Sequence, residues 1–207
     1  MLDDARVSVR RGSVLLLPIL TVLGATAVVV PSPPAESVSA RASVNGRTVV
    51  LGDSLSYWGG GELRARVPGV EVRGKRGRPV TELPGMIEDY LATEGAPSRL
   101  VIALGTNNRA GWSKQDYVDA VSLVPARTEV VFMSVHRTPE VFGEERTRTM
   151  KRYSRWMRRI AEARPRTQVV PWRRKVIRNP DLLRDGVHAT YERGEDVWAR
   201  MLARALR

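Results

Sequence analysis

The chain has 207 residues, a length that suits one α/β domain with a full core and an N-terminal extension. It contains no cysteine, which excludes disulfide bonds, thiolate catalysis and cysteine-ligated metal sites. Only two histidines are present, His136 and His188, so the composition disfavours a histidine-rich metal site. The formal net charge is +12, and residues 1–40 contribute none of it because three arginines balance three acidic residues there. The basic excess of the remaining chain favours anionic surroundings, such as nucleic acid, lipid headgroups or an acidic cell-wall polymer.

The N-terminal segment has the pattern of an export signal. Arg10 and Arg11 precede an uncharged, mostly apolar run over residues 14–30, and three prolines follow that run closely. The run is slightly long for the apolar part of a signal peptide and slightly short for a membrane-spanning helix. We therefore expect residues 1–30 to be a cleaved signal peptide or an uncleaved anchor, with a buried core helix as the remaining alternative, and residues 31–45 to be a linker. Arginines before the run send the following domain, residues 46–207, outward, so we expect a protein secreted or anchored on the outer face of the cytoplasmic membrane.

Beyond the linker, short apolar runs alternate with amphipathic segments. The apolar runs predict strands, and the amphipathic segments predict helices. Strands are predicted at residues 48–51, 70–73, 100–104, 129–135 and 168–170, and helices at residues 62–66, 83–93, 114–123, 144–163 and 192–206. This alternation predicts an α/β fold in which a five-stranded parallel sheet is covered by helices on both faces.

Polar or glycine-bearing segments follow four of the predicted strands. These segments are Gly52-Asp53-Ser54, the loop over residues 74–78, Gly105-Thr106-Asn107, and Asp185-Gly186-Val187-His188. The carboxyl ends of parallel strands meet at one edge of a sheet, which is also where ligands bind in open α/β folds. We therefore expect the four segments to converge.

Within these segments, Ser54, His188 and Asp185 have the residue types of a catalytic triad. Asp185 precedes His188 by three residues, a spacing that brings two side chains to the same side of a helical turn. Asp185 would accept the Nδ1 proton of His188, and His188 Nε2 would take the proton of the Ser54 hydroxyl. The alternative for Ser54 is a helix cap. His136 also follows a strand and is the rival base, but it lacks a carboxylate at such a spacing.

A tetrahedral oxyanion would also need hydrogen-bond donors near the serine. Asn107 offers a side-chain amide, and the backbone N–H groups of Ser54 and of a glycine after the second strand offer the others. Two glycines are candidates, Gly74 and Gly77. We interpret Asp53 as a turn residue that binds the local backbone rather than as an acid catalyst.

The ordered blocks Gly52-Asp53-Ser54-Leu55, a glycine after strand two, Gly105-x-Asn107 and Asp185-x-x-His188 resemble those of the SGNH (GDSL) hydrolase family. The resemblance covers the chain from about residue 49 onward. It implies a three-layer α/β/α fold with a flavodoxin-like sheet. It also implies Ser54 as nucleophile, His188 as base, Asp185 as the group that orients it, and Asn107, a glycine and the Ser54 amide as an oxyanion hole. No metal or organic cofactor is implied.

Two details refine the resemblance. Asn108 stands where the third block of the family often has an aspartate, which alters local hydrogen bonding but leaves the Asn107 amide in place. Gly77-Arg78 is similar to a Gly-Arg pair in the extracellular domains of peptidoglycan O-acetyltransferases, and we therefore favour Gly77 over Gly74. Trp172 and the segment over residues 185–190 resemble that subgroup as well.

Four further residues are candidates for lining the substrate site: Tyr57, Trp58, Arg78 and Trp172. For Tyr57 and Trp58 the alternative is ordinary core packing, and for Arg78 it is a solvated loop position. The predicted helix over residues 144–163 has an apolar stripe on one face and six cations on the other, which are Arg148, Lys151, Arg152, Arg155, Arg158 and Arg159. Such a face is usually only solvated, but it could also hold an exported protein near an anionic envelope.

The sequence thus predicts an exported serine esterase or acyltransferase that acts on small acyl esters, on cell-wall glycan or lipid, through an acyl-serine intermediate. The alternative is a non-catalytic, basic envelope-binding module on a hydrolase scaffold. The expected partners are an acyl-ester substrate and an anionic wall polymer or membrane surface. A nucleic-acid partner is disfavoured because no recognised binding motif is present. A monomer is the default expectation.

Overall fold

The structure, a computed structural model, describes residues 45–207. The predicted export segment, residues 1–30, and the predicted linker apart from Asn45 lie outside the described residues. The strands within this range are β1 (Asn45–Gly52), β2 (Glu71–Gly74), β3 (Pro97–Ala103), β4 (Glu129–Met133) and β5 (Thr167–Val170). The α-helices are α1 (Ser54–Arg66), α2 (Leu83–Glu94), α3 (Lys114–Ser122), α4 (Pro139–Ala163), α5 (Trp172–Arg178) and α6 (Arg193–Ala205). Two short 3₁₀ turns, Val80–Glu82 and Pro180–Leu182, complete the set.

The five strands form one sheet in the order β2-β1-β3-β4-β5, and every neighbouring pair is parallel. This confirms the predicted five-stranded, flavodoxin-like sheet. In register, Gly52 at the end of β1 lies opposite Gly74 on one side and Ala103 on the other. The ends of β1, β2 and β3 therefore open onto the same stretch of the sheet edge, as the sequence predicts.

The sheet is buried on both faces because successive side chains of a strand point to opposite sides. In β1, Val49 and Leu51 enter one apolar layer and Val50 enters the other. The first layer is covered by α2, α3 and α4 and contains Ile87, Tyr117 and Met157, among others. The second is covered by α1, α5 and α6 and contains Leu63, Trp172 and Trp198. The predicted three-layer α/β/α arrangement is thus observed.

The prediction for the first helix is wrong at its start. The sequence predicts a helix only over residues 62–66, whereas α1 begins at Ser54 and runs through Gly59, Gly60 and Gly61. A Cβ at Gly59 would lie 2.7 Å from the ring of Trp198, and one at Gly60 would lie 3.1 Å from the Val72 side chain. Gly59 and Gly60 therefore allow α1 to pack close to α6 and β2.

Two other helices differ from prediction. The helix predicted over residues 144–163 begins earlier, at Pro139, and its axis breaks at Gly143, which has φ 77° and ψ 158°. The helix α5 is not predicted at all from the sequence. Among the described residues, every helix is too short or too polar to cross a bilayer.

Candidate active site

The turn from β1 into α1 presents Ser54 at the sheet edge. Asp53 caps the helix, because its carboxylate accepts a hydrogen bond from the Leu55 amide at 3.1 Å. The Asp53 amide in turn donates to the Ala103 carbonyl at 3.2 Å, which ties the turn to the end of β3. A Cβ at Gly52 would lie 1.9 Å from the Ser56 hydroxyl, so only glycine fits there. Since Asp53 is the cap, the hydroxyl of Ser54 is free to point away from the helix.

The Ser54 hydroxyl meets the side chains of His188 and Asp185 in one continuous hydrogen-bonded chain. Its Oγ lies 2.9 Å from His188 Nε2, and His188 Nδ1 lies 2.7 Å from Asp185 Oδ2. The other carboxylate oxygen, Oδ1, accepts the backbone amides of Val187 at 3.1 Å and His188 at 2.8 Å. These two amides fix the carboxylate, which leaves Oδ2 to accept a hydrogen bond from Nδ1–H and directs the Nε2 lone pair at the serine.

The loop that carries Asp185 and His188 is held from both sides. The Arg184 amide donates to the His188 carbonyl at 2.9 Å, which closes the loop on itself. The Thr138 amide, just before α4, donates to the Gly186 carbonyl at 2.9 Å. Gly186 has φ 78°, and a Cβ there would lie 2.2 Å from the Thr138 hydroxyl, so the close contact requires glycine. The position of the imidazole therefore depends on the start of α4.

The electrostatics of the Asp185 carboxyl favour its charged form. Partial burial by itself raises the pKa of Asp185, but hydrogen bonds from the His188 ring and from the His188 and Val187 amides outweigh this effect and lower the pKa below its ordinary value. A carboxylate that stays ionised next to Nδ1 stabilises an imidazolium. The arrangement can therefore accept a proton from a hydroxyl at Nε2.

Hydrogen-bond donors surround the position opposite the imidazole. Gly77 and Asn107 line the same cleft as Ser54, and the amides of Gly77 and Ser54 donate to no acceptor in the described part of the chain. The alternative glycine, Gly74, lies inside β2, where a Cβ would come within 2.5 Å of the Tyr57 backbone nitrogen. The geometry thus brings Gly77, rather than Gly74, to the cleft.

The side-chain amide of Asn107 has a fixed orientation. Arg137 Nη2 donates to Asn107 Oδ1 at 3.1 Å, and Asn107 Nδ2 donates to the Arg78 carbonyl at 3.2 Å. A guanidinium can only donate, so the oxygen of the amide must face Arg137 and the nitrogen must face the Arg78 carbonyl. One N–H of Nδ2 remains for a ligand. Sequence reasoning missed Arg137, although its place directly after the strand-end residue His136 is a signal of the same kind as those used for the other segments.

The cleft itself is an open cavity of about 500 Å³ lined by Ser54, Arg76, Gly77, Asn107 and His188. Beside it lies a row of aromatic rings in edge-to-face contact. Tyr57 contacts Trp58 at 5.0 Å between centroids, and Trp58 contacts Tyr191 at 6.3 Å. Tyr57 and Tyr191 are 51% and 62% exposed, which is unusual for large rings that could pack inward. Tyr191 was not predicted, although it follows His188 by three residues.

Two arginines lie over this aromatic row. The guanidinium of Arg76 lies 5.6 Å from the centre of the Trp58 ring, and that of Arg184 lies 4.2 Å from the Tyr191 ring. Cations over aromatic faces are held by the negative face of the ring. The rim of the cleft is therefore both aromatic and positively charged.

The predicted substrate-lining role fails for two residues. Trp172 is 1% exposed and packs in the apolar layer below the sheet edge, so it does not reach the cleft. Arg78 turns its guanidinium inward, where Nη1 donates to the carbonyls of Gly52 and Arg73 and Nε donates to Glu82 at 3.2 Å. Arg78 therefore clamps the loop after β2 to the end of β1. Tyr57 and Trp58 belong to the aromatic row beside the cleft, and their substrate-lining role stays a prediction.

Two buried titratable groups lie near the site but are not part of the hydrogen-bonded set Ser54, His188 and Asp185. Burial raises the pKa of Asp53 to about 6, although hydrogen bonds from the Leu55 amide and Thr106 act in the opposite direction. Burial, with the charge of Arg173 added, lowers the pKa of His136 to about 4. His136 Nδ1 is buried and has no partner among the described residues, so the rival base is not linked to a carboxylate.

Residues 45–207 also contain no cluster of three or more His, Cys, Asp or Glu that could hold a metal ion.

No protein-family model and no curated protein sequence matches the chain. Solved structures do match. The catalytic domain of peptidoglycan O-acetyltransferase A from Streptococcus pneumoniae superposes with a TM-score of 0.70 at 20% identity, covering 79% of this chain and 93% of that one. A lipase/acylhydrolase from Enterococcus faecalis matches with a TM-score of 0.64 at 14% identity, over 78% and 95% of the two chains.

A variant of an acetyl xylan esterase from Geobacillus stearothermophilus gives a TM-score of 0.57 at 19% identity, over 80% of this chain and 94% of that one. Another match, from Veillonella parvula, is described as a member of the lipolytic G-D-S-L family. At such low identities these likenesses establish the fold alone, and that fold is the SGNH hydrolase-like one.

Proposed function

On a chain with the SGNH hydrolase-like fold, we propose that Ser54, His188 and Asp185 form the catalytic triad of a serine esterase or acyltransferase. The observation that carries the proposal is the unbroken chain of hydrogen bonds from Ser54 Oγ through His188 to Asp185, at 2.9 and 2.7 Å. A serine that only capped a helix would not need these hydrogen bonds to His188 and Asp185, and the residue that caps α1 is Asp53.

In the first half of the reaction, Ser54 Oγ attacks the carbonyl carbon of an ester while His188 Nε2 takes the hydroxyl proton. Asp185 accepts the Nδ1–H bond and stabilises the imidazolium. The negative charge that forms on the carbonyl oxygen is received by the Ser54 and Gly77 amides and by Asn107 Nδ2. Each such donor contributes about 3 kcal/mol to stabilising the transition state in comparable enzymes. Collapse of the tetrahedral intermediate transfers the proton from His188 to the leaving alcohol and leaves an acyl-Ser54.

In the second half, His188 removes a proton from water or from an acceptor hydroxyl, which attacks the acyl-serine carbonyl. The same donors receive the oxyanion, and Ser54 regains its proton when the ester bond breaks. Hydrolysis and transfer share every protein group and differ only in the nucleophile of this step.

The cleft favours a small acyl group on a sugar-like alcohol. Its lining residues are polar or glycine, and the void beside Asp53 and Leu55 has a volume of only about 10 Å³, which is too small for a long acyl chain. The exposed rings of Tyr57 and Tyr191 offer flat apolar faces with polar edges, which suit a sugar ring. Two of the structural matches are described as acetyl xylan esterases and one as a peptidoglycan O-acetyltransferase, which agrees with an acetylated glycan as substrate.

Ester hydrolysis by the full chain tests the proposal. We expect Ser54→Ala to lower kcat/KM for p-nitrophenyl acetate by at least about 1,000-fold. The matched control is Ser122→Ala, because Ser122 is an exposed serine on α3 that donates only to the Asp119 carbonyl. That variant should keep full activity. A fluorophosphonate should label the parent protein and the control but not Ser54→Ala, and equal turnover by Ser54→Ala would refute the assignment.

A second experiment separates hydrolysis from transfer. The full chain is given p-nitrophenyl acetate with and without a chitooligosaccharide acceptor, and the products are analysed by mass spectrometry. An acetylated oligosaccharide that disappears with Ser54→Ala identifies a transferase. Release of acetate alone, at a rate unaffected by the acceptor, identifies a hydrolase.

The location and the alternative function are proposals of the same kind. We propose that the protein works outside the cytoplasm, on the strength of the apolar run over residues 14–30 and the arginines before it. Protease accessibility on intact cells tests this, and protection from protease would contradict it.

The alternative, a non-catalytic envelope-binding module, is favoured by the +12 charge. It predicts that the parent protein lacks esterase activity while binding anionic polymer.

A further inference from the structure

A concavity lined by arginines is separate from the catalytic cleft. It has a volume of about 550 Å³ and is lined by four arginines, Arg158, Arg173, Arg174 and Arg178, together with Ser134 and the half-exposed Ile177. None of its lining residues lines the cleft around Ser54. It lies between α4, α5 and the end of β5, on the side of the sheet edge where α5 leaves β5.

The four guanidinium groups have no anionic partner among the described residues. No carboxylate lines the concavity, and none of the four arginines forms an ion pair with a described acidic residue. Glu162, one turn beyond Arg158 on α4, makes no such pair either. By contrast, other partly buried arginines such as Arg66, Arg78 and Arg99 each contact a glutamate or aspartate. The concavity therefore holds a concentration of uncompensated positive charge.

The arrangement is costly for the protein alone. Arg174 and Arg178 are four residues apart on α5, so their like charges lie one above the other on one face of the helix. Arg173 is half-buried, its Nε is buried without a hydrogen-bond partner, and burial together with the charge of Arg158 lowers its pKa. An anion in the concavity would relieve this repulsion between like charges.

We propose that this four-arginine concavity is a binding site for a phosphate group. A phosphate carries several oxygen acceptors and more than one negative charge, so several guanidinium forks can bind it at once. A carboxylate offers only two oxygens and one charge. The phosphate can come from a free phosphate ion or from a phospholipid headgroup, and the two sources present the same chemistry to the arginines.

The test measures binding of inorganic phosphate to the full chain by isothermal titration calorimetry, at constant ionic strength set with chloride. The variant Arg158→Gln/Arg174→Gln/Arg178→Gln removes three exposed charges from the concavity, and none of these side chains is part of the catalytic site. The matched control, Arg148→Gln/Arg152→Gln/Arg155→Gln, removes three exposed arginines from the same helix α4 outside the concavity. Both variants should keep the melting temperature and esterase activity of the parent.

We expect saturable phosphate binding that the concavity variant weakens by at least about tenfold, whereas the control stays within about threefold of the parent. Equal weakening in both variants would show that only the overall charge matters and would overturn the proposal. Absence of saturable binding by the parent would overturn it as well. Because the measurement does not depend on Ser54, it can be repeated on Ser54→Ala, so failure here and failure of the esterase assignment are distinguishable.

A second arm identifies the source of the phosphate. Vesicles containing phosphatidylglycerol are offered to the parent and to both variants, with phosphatidylcholine vesicles for comparison. Vesicle binding that is competed by inorganic phosphate and lost in the concavity variant assigns the site to a lipid headgroup. Calorimetric phosphate binding without such vesicle binding assigns it to soluble phosphate.

Discussion

At the scale of single residues, the two oxygens of Asp185 have separate tasks. Oδ1 accepts hydrogen bonds from two backbone amides, which fix the carboxyl group, and Oδ2 accepts a hydrogen bond from His188 Nδ1–H. An asparagine in this place would keep its oxygen toward the amides and would turn its NH₂ group toward the imidazole. The imidazole would then carry its proton on Nε2 and could not take the Ser54 proton.

We therefore expect Asp185→Asn to lower kcat for p-nitrophenyl acetate by about 100- to 10,000-fold with little change in KM. The matched control is Asp181→Asn, since Asp181 is an exposed aspartate nearby whose side chain pairs only with Arg193. Exposed ion pairs contribute little, so that control should stay within about twofold of the parent. Steady-state kinetics provides the measurement, and more than a tenth of the parental activity in Asp185→Asn would contradict the assigned role.

Asp53 gives a prediction about stability and pH. Its pKa in the folded protein is about 6, against an ordinary value of 3.8. Between these values the folded protein holds a proton that the unfolded chain has released, so the Asp53 contribution to stability is complete below about pH 4 and is lost as the pH rises through about 6. Asparagine can cap α1 through its oxygen but carries no charge at any pH.

Relative to the parent, Asp53→Asn should therefore gain free energy of unfolding as the pH rises from about 4 to about 6, and the difference should level off at no more than about 3 kcal/mol. His136, with a pKa lowered from 6.5 to about 4, acts in the opposite direction over a similar range. The difference between the two proteins removes that contribution, because both contain His136. Urea denaturation across this pH range is the measurement, and a pH-independent difference would show that Asp53 is not protonated in the fold.

At the scale of elements, the first turn of α4 contacts the loop that carries Asp185 and His188. The first turn of α4, before Gly143, lies against Gly186, whose carbonyl accepts the Thr138 amide at 2.9 Å. Gly143 has φ 77° and ψ 158°, a conformation that side-chain-bearing residues rarely adopt. Nothing lies within 4 Å of a Cβ built there, so any cost of substitution comes from the backbone alone.

Gly143→Ala should lower the free energy of unfolding by about 1–3 kcal/mol. The matched control is Gly61→Ala, because Gly61 is also free of contacts within 4 Å but lies inside α1 without a positive φ. That change should raise stability by up to about 1 kcal/mol, since alanine favours helix. Opposite signs in urea denaturation are the expected result. A loss of stability in both variants would contradict the explanation from backbone conformation.

The loop between β3 and α3 is held in its orientation by a residue that follows β4. Arg137, just after β4, donates to the Thr106 carbonyl at 3.0 Å and to Asn107 Oδ1 at 3.1 Å, and its guanidinium lies 4.4 Å from the Phe142 ring centre. Arg137 is therefore a positioning residue for the proposed oxyanion donor.

Arg137→Gln should lower kcat by about 10- to 100-fold and leave KM nearly unchanged, because a misplaced donor affects the transition state more than the bound ester. Arg137→Lys should recover part of the loss. The matched control is Arg109→Gln, an exposed arginine in the same loop that contacts only the neighbouring Asn108 carbonyl. A rise in KM with unchanged kcat would instead assign Arg137 to substrate binding.

The elements also show which features of this fold a sequence can reveal. The strands of the central sheet and the residues that follow them were predicted because a run of buried β-branched residues ending in glycine or a polar side chain is a local pattern. The path of α1 through Gly59 and Gly60 was not predicted, because it depends on the Trp198 ring, which is distant in the sequence. The hydrogen bond from Arg78 to the Gly52 carbonyl and the one from Arg137 to the Asn107 side chain likewise join residues more than twenty-five positions apart.

At the scale of the whole molecule, α4 contributes a group of exposed basic side chains. The six cations from Arg148 to Arg159 that were predicted to share a face are all exposed, and none forms an ion pair with a described acidic residue. Exposed charges act over a Debye length of about 10 Å at 0.1 M salt, so their attraction to a polyanion is strongly screened by added salt.

Polyglutamate, which contains no phosphate, tests this general attraction. We expect the full chain to bind it at low ionic strength and to lose at least about tenfold in affinity as NaCl is raised to about 0.3 M. Ser54→Ala should bind equally well, since its charge is unchanged. Fluorescence anisotropy of labelled polyglutamate provides the measurement, and salt-independent binding would show that contacts other than charge dominate.

The proposed nucleophile and its base are separated by 134 positions in the chain, and the loop that carries the base is held by a hydrogen bond from the Thr138 amide, just before α4, to the Gly186 carbonyl. During synthesis, Ser54 thus leaves the ribosome long before His188 does. A nascent chain, or one threaded unfolded through a translocation channel, has a serine without a partner to activate it. If the proposed function is right, such a chain has no esterase activity until the segment that carries His188 has been made and has folded against the start of α4.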